Sequence, residues 1–201
     1  MFRRSPKIFT LYLALGAMFV QQTFATVGRS TVPLIAAAII ADLKIDPALV
    51  GVYLAIGSVA GFLTTLGCGG FILRYGAMRM TQVGMAALAI GLAVLSVGWL
   101  PLFAVGAMVA GLGQAVSTPS SSHLLGRLSP PRLAPLVFSI KQTGVPAGNF
   151  VAGATLPTLA LLLGWRGAFM IAGGACIALA LAIQPLVKDF DDARDPRRRL
   201  L

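Results

Sequence analysis

The chain has 201 residues, of which 57% are hydrophobic and only 11% charged, with a mean hydropathy of +0.87. Such values exclude an ordinary water-soluble domain and place the chain in a lipid bilayer. A formal charge of +10 would suggest nucleic acid as the partner of a soluble protein, but here the cations flank apolar runs and form no single basic face, so no nucleic-acid partner is expected.

The first predicted element is a helix over 8–40. The opening MFRRSPKIFTLYLALGAMFVQQTFA has the basic start, apolar middle and small residues of a cleavable signal peptide. Its apolar character, however, runs on to Ile40 with only Arg29 interrupting, which fits a first membrane helix better. The loop ADLKIDPAL follows, then a helix over 48–73. The runs 47–73, 80–126, 142–165 and 167–187 carry no charge at all, and each reaches the roughly 20 residues needed to cross a hydrocarbon core. The run 80–126 is long enough for two crossings. Gly98-Trp99-Leu100-Pro101 supplies an interfacial aromatic and a breaker midway, so helices are predicted over 80–98 and 101–125. Helices over 134–163 and 167–187, split at LGWRG, complete the count, and the polar tail VKDFDDARDPRRRLL reads as the start of a cytoplasmic linker.

This is an all-α membrane protein of six transmembrane helices, with residues 1–187 as the bundle and 188–201 as the tail. The positive-inside rule tests the topology. Arg3, Arg4 and Lys7, Arg74 and Arg79, Arg127, Arg132 and Lys141, and Lys188, Arg194, Arg197, Arg198 and Arg199 all fall on one side, thirteen of sixteen cations. Lys44 and Arg166 fall on the other, and Arg29 lies within helix 1. Both termini are therefore expected in the cytoplasm, with the stretch GGFILRYGAMRM forming a cytoplasmic turn.

Small residues four apart at Gly57 and Gly61, Gly106 and Ala110, and Gly144 and Gly148 signal close helix packing. Pro33, Pro119, Pro146 and Pro157 lie within helices, where neighbours must satisfy the backbone groups they free.

Chemistry-bearing residues are few. Glu is absent, and the six Asp residues all lie outside the apolar runs, so no membrane carboxylate pair exists for acid and base work. His123 follows Ser120, Ser121 and Ser122, but immediate neighbours on a helix point in different directions, which argues against a dyad. Cys68 and Cys176 sit in apolar runs as small buried thiols. No catalytic residue, metal site or cofactor is expected.

Arg29 is the most informative residue: a membrane arginine costs about 2.5–3.5 kcal/mol at mid-bilayer and so faces either a wet cavity or, by snorkelling, the headgroups. Gln21, Gln22 and Thr23 in helix 1, Gln114, Ser117 and Thr118 in helix 4, and Asn149 and Thr155 in helix 5 suggest a shared hydrated cavity, with interhelical hydrogen bonding as the alternative. Lys141 either guards the inner mouth of that cavity or marks the interface. Arg29, Gln22, Gln114, Thr118, Asn149 and Lys141 are the candidate cavity residues.

Six helices with inside termini and a basic turn after helix 2 resemble the amino-terminal half of a major facilitator superfamily transporter. The family's turn reads glycine, three residues, Asp, a basic residue, any residue, glycine, any residue, two basic residues. Gly69, Arg74, Gly76 and Arg79 keep the glycines and two basic positions, whereas Leu73 replaces the Asp and Met78 the first of the paired cations. These four are expected to be gating or topology residues. In the family that Asp helps to latch the turn to the carboxy-terminal half, so its loss puts the latch in doubt. Gly111, Gly113, Ala115 and Pro119 are similar to the family's helix 4 pattern, without the Arg that often precedes it, and KQTGVPAGNFVAGATLP with GWRGAF resembles members that carry small anionic solutes.

The resemblance implies a secondary transporter of the cell's inner membrane, in which two six-helix halves rock about a midplane site, with a small solute and the lipid bilayer as partners. Six helices then imply either a truncated, half-length product or assembly with a second half or as a homodimer. Arg29 and the lack of membrane carboxylates favour an organic anion. The competing reading is a non-transporting six-helix scaffold or assembly subunit.

Overall fold

In lipid the backbone must satisfy its own polar groups, and a charge-free apolar chain does so by coiling into helices. The structure, a computed structural model, describes residues 6–192, with side chains from Ile8 onward. Arg3, Arg4, the side chain of Lys7, and the tail cations Arg194, Arg197, Arg198 and Arg199 lie outside what is described.

The described elements are α1 (Pro6–Leu34), α2 (Ala36–Leu43), α3 (Ala48–Tyr75), α4 (Ala77–Ser96), α5 (Leu100–Ala115), α6 (Ser117–Leu128), α7 (Ala134–Gln142), α8 (Gly144–Ala182) and α9 (Gln184–Phe190). Proline explains several of the interruptions. Pro119, Pro146 and Pro185 have no N–H for the carbonyls of Ala115, Gln142 and Leu181. The helices α5, α7 and α8 end at or one residue beyond those carbonyls. The expected helices 1 and 4 are thus each two pieces, α1–α2 and α5–α6, while expected helix 5 begins as α7 and continues into α8, which also takes in most of expected helix 6. The break at Gly98-Trp99 falls where the sequence puts it, between Ser96 and Leu100.

Five stretches among the described residues are long and apolar enough to cross a membrane: Ile8–Leu34, Ala48–Tyr75, Ala77–Ser96, Leu100–Leu128 and Ala134–Ala182. The last has 49 residues, well over the roughly 20 that one crossing needs. Within it Gly164 adopts φ 74° and ψ 165°, a conformation foreign to a helix and open essentially to glycine alone. The sequence predicts a loop at LGWRG; the structure bends there at one residue instead.

Close backbone approach organises the bundle. A Cβ built on Gly148 would fall 2.5 Å from the Thr23 carbonyl oxygen and 2.6 Å from Thr26 Cβ, so α8 lies tight on α1. A Cβ on Gly91 would fall 2.6 Å from the Ala110 nitrogen, and one on Gly111 would overlap the Gly57 carbonyl, which brings α4 and α3 against α5. Two apolar clusters then divide the bundle along its length. One gathers Leu11, Leu15, Met18, Cys68, Ile72, Met78, Leu124, Leu125, Val187 and Phe190; the other gathers Val32, Ile39, Leu88, Leu92, Leu95, Phe103, Trp165 and Phe169. The first cluster lies at the end bearing Arg74, Arg79 and Arg127, hereafter the basic end, and the second toward the far end. Helix α9 continues past Val187, where the sequence places the bundle boundary, and both Phe190 and Asp191 are buried.

Candidate functional site

Helices α1, α3, α5 and α6 enclose a cavity of about 380 Å³. Its polar wall is built by Arg29 from α1, Gln114 and Thr118 from the α5–α6 rod, and Tyr53, Ser58 and Thr65 from α3. Gly57, Gly61 and Gly111 keep α3 and α5 in contact along one side. Pro119 also lines the cavity, three residues beyond the interruption between α5 and α6 at Val116.

Arg29 is exposed to this space, and no described carboxylate pairs with it. The single ion pair among the described residues joins Arg166 to Asp42 at the far end. Arg29 therefore presents an uncompensated positive charge to a cavity with hydroxyl and amide groups within it, a setting suited to an anion.

Three of the six residues singled out from sequence, Arg29, Gln114 and Thr118, meet on this wall. The other three lie elsewhere. Gln22 is buried where α1 meets α8, its side chain within reach of any Cβ added at Gly144, and its Oε1 has no hydrogen-bond partner. Asn149 Oδ1 accepts a hydrogen bond from the Ser30 hydroxyl at 3.1 Å, on an exposed seam between α1 and α8. Lys141 is buried on α7, 2% exposed, and is not among the cavity's lining residues. Gln21, next to Gln22, bonds across the bundle to Ser117 Oγ at 2.7 Å, the interhelical role that the alternative reading describes.

Sequence reasoning missed Tyr53, Ser58 and Thr65. The signal was there: Tyr53, Gly57, Ser58, Gly61, Phe62 and Thr65 recur at helical spacing and form one stripe on an otherwise apolar helix. Gly57 and Gly61 in that stripe read only as packing residues until the structure set polar neighbours beside them.

At the basic end, Gly76 has φ 98° and starts α4, Arg74 lies 5.5 Å from the Tyr75 ring, and Arg79 is exposed. Gly69 is exposed with open space around it. His123 is exposed while Ser120 and Ser121 are buried, so the structure assembles no serine and histidine pair from them.

A bundle of apolar helices long enough to cross a bilayer is the architecture of an integral membrane protein. The family model described as Major Facilitator Superfamily matches residues 13–199, and the chain belongs to that family. No curated protein matches the chain. Among solved structures, the in meso crystal structure of the POT family transporter PepTSo is similar, with a TM-score of 0.66 and 20% identity over 94% of this chain. At that identity the likeness concerns the fold, and this chain spans 39% of the PepTSo chain.

Proposed function

We propose that this chain is a six-helix half of a secondary transporter of the inner cell membrane, working by alternating access and taking an organic anion as its solute. Family membership supports transport, and Arg29 on the cavity wall carries the choice of an anion. In this reading Ala134–Ala182 crosses twice, with Gly164 at the bend, and both termini face the cytoplasm. The grouping of Arg74, Arg79 and Arg127 at one end of the bundle supports that topology. The transport cycle needs a second six-helix unit to rock against, either another part of the same polypeptide or a second copy. Activity in this reading is transport without chemical conversion, which membership of a transporter family supports.

Binding and uptake test the proposal together. A panel of radiolabelled mono- and dicarboxylates is offered to the chain in detergent and in proteoliposomes, with and without a proton gradient. One or more is expected to bind, with at least tenfold weaker binding in Arg29→Ala and a partial loss in Arg29→Lys. Binding that is indifferent to Arg29→Ala sinks the anion site, and the absence of both binding and uptake for every solute favours a membrane scaffold.

A further inference from the structure

The chain leaving α9 folds back onto the turn between α3 and α4. Asp191 is 4% exposed, and its carboxylate accepts two backbone hydrogen bonds, from Met78 N–H to Oδ1 at 3.0 Å and from Arg79 N–H to Oδ2 at 2.9 Å. Met78 and Arg79 are the second and third residues of α4, whose first N–H groups have no partner within the helix. Helix α4 has no acidic residue in its first turn, and its cap position is Gly76, which has no side chain to offer. The capping acid therefore comes from 113 residues away.

Two further observations fix it there. A Cβ on Gly76 would overlap the Asp191 carboxylate, so the turn is open at the place the acid occupies. The Arg127 guanidinium at the end of α6 donates to the Phe190 carbonyl, and the Phe190 ring is 1% exposed within the apolar cluster of the basic end. The turn and the α9 exit thus meet at one carboxylate, and the α6 terminus holds the residue beside it.

We propose that Asp191 is a positioning residue, a latch that holds the end of α9 against the start of α4. Two charge-assisted bonds and the favourable end of the helix dipole act on the same anion, so the contact is strong while made and is lost as a unit. When it opens, the first turn of α4 loses its cap and Asp191 leaves the turn, while the helices themselves stay packed. The turn and the end of α9 are in this way one mechanical element. The latch stands on its own geometry, and a failure of the transport reading leaves it in place.

The test uses the full chain in detergent and reads amide exchange at Met78 and Arg79 together with maleimide labelling of a cysteine introduced as Asp192→Cys, an exposed position. Asp191→Ala is expected to speed exchange at those two amides at least tenfold, to speed labelling, and to leave the interior amides of α4 around Leu88 unchanged. Asp191→Asn keeps one acceptor oxygen and is expected to protect one amide of the pair. The proposal is overturned if Asp191→Ala changes neither exchange nor labelling, or if it loosens all of α4 equally, which would make Asp191 a general stability residue. Should Asp191→Ala fail to fold, Asp191→Asn carries the decision: equal protection of both amides overturns the latch, and selective loss of one supports it.

Discussion

Trp165 and Asp42 meet at the far end of the bundle across 123 residues of sequence: the indole Nε1–H donates to Asp42 Oδ2 at 2.9 Å, and Arg166 Nη1 reaches the same oxygen at 2.8 Å. The guanidinium also lies 4.3 Å from the Trp165 ring. One carboxylate oxygen thereby ties the end of α2 to the bend after Gly164. The Trp165 hydrogen bond first, and then the Arg166 hydrogen bond, hold the Asp42 carboxyl below its ordinary value of 3.8. A depressed folded-state value means that the stabilisation is complete above the ordinary value and is lost as pH falls through the lowered one. In a Trp99→Phe background, Trp165 emission should stay constant from pH 7 down to the ordinary carboxylate value and change only below it. With Asp42→Asn the low-pH change should vanish; a transition near neutral pH would contradict this assignment.

Gly164 and Gly174 offer a paired test of the bend. A Cβ at either position meets nothing within 4 Å, but only Gly164 has a positive φ. Gly164→Ala should therefore cost about 1–3 kcal/mol through backbone strain alone, whereas Gly174→Ala in regular helix should gain up to ~1 kcal/mol. Thermal unfolding in detergent reads both, and equal shifts for the two variants would remove the bend from the account.

Gly148 tests the α1–α8 contact by a different route. Its conformation is ordinary, but an added methyl meets the Thr23 carbonyl and the Thr26 side chain. Gly148→Ala should cost ~1–3 kcal/mol as the helices part, while Gly153→Ala on the same helix, with open space around it, should cost nothing. A harmless Gly148→Ala would show that the two backbones lie further apart.

The Gln21–Ser117 hydrogen bond bridges α1 and α6 in the buried interior. A double-mutant cycle with Gln21→Leu and Ser117→Ala should give a coupling of about 0.6 kcal/mol, the size of a typical hydrogen bond between membrane helices. Neither variant should alter solute binding, because neither residue lines the cavity. Loss of binding in Ser117→Ala would move the site toward the bundle axis.

Topology has its own test. Cysteines introduced at Tyr75 and Arg132, both exposed, should react with an impermeant maleimide from one side of the membrane, and one at Lys44 from the other. Labelling of the Tyr75 and Arg132 positions from opposite sides would falsify the six-crossing arrangement.

What the residues alone determined was the solvent. Charge-free apolar runs demand lipid, because their burial there costs no desolvation, and cations gathered in alternate loops are the basis of the proposed topology. The break before Leu100 and the role of Gly76 in a turn follow from local composition and helical period, whereas for Arg29 the sequence left a wet cavity and snorkelling as alternatives. Period assigns a residue to a helix and a face, and for those residues that was enough.

Tertiary packing decided the rest. Whether Gln21 or Gln22 meets another helix, whether Asn149 turns to Ser30 or to the cavity, and where buried Lys141 ends depend on how α1 rotates against its neighbours, which no single helix specifies. Tyr53, Ser58 and Thr65 joined the site only because Gly57 and Gly111 let α3 approach α5 backbone to backbone. The sharpest case is Asp191, which looks in sequence like one more charge in a polar tail. Its burial depends on a glycine and two free N–H groups more than 100 residues earlier in the chain, a complementarity that exists only once the helices have assembled.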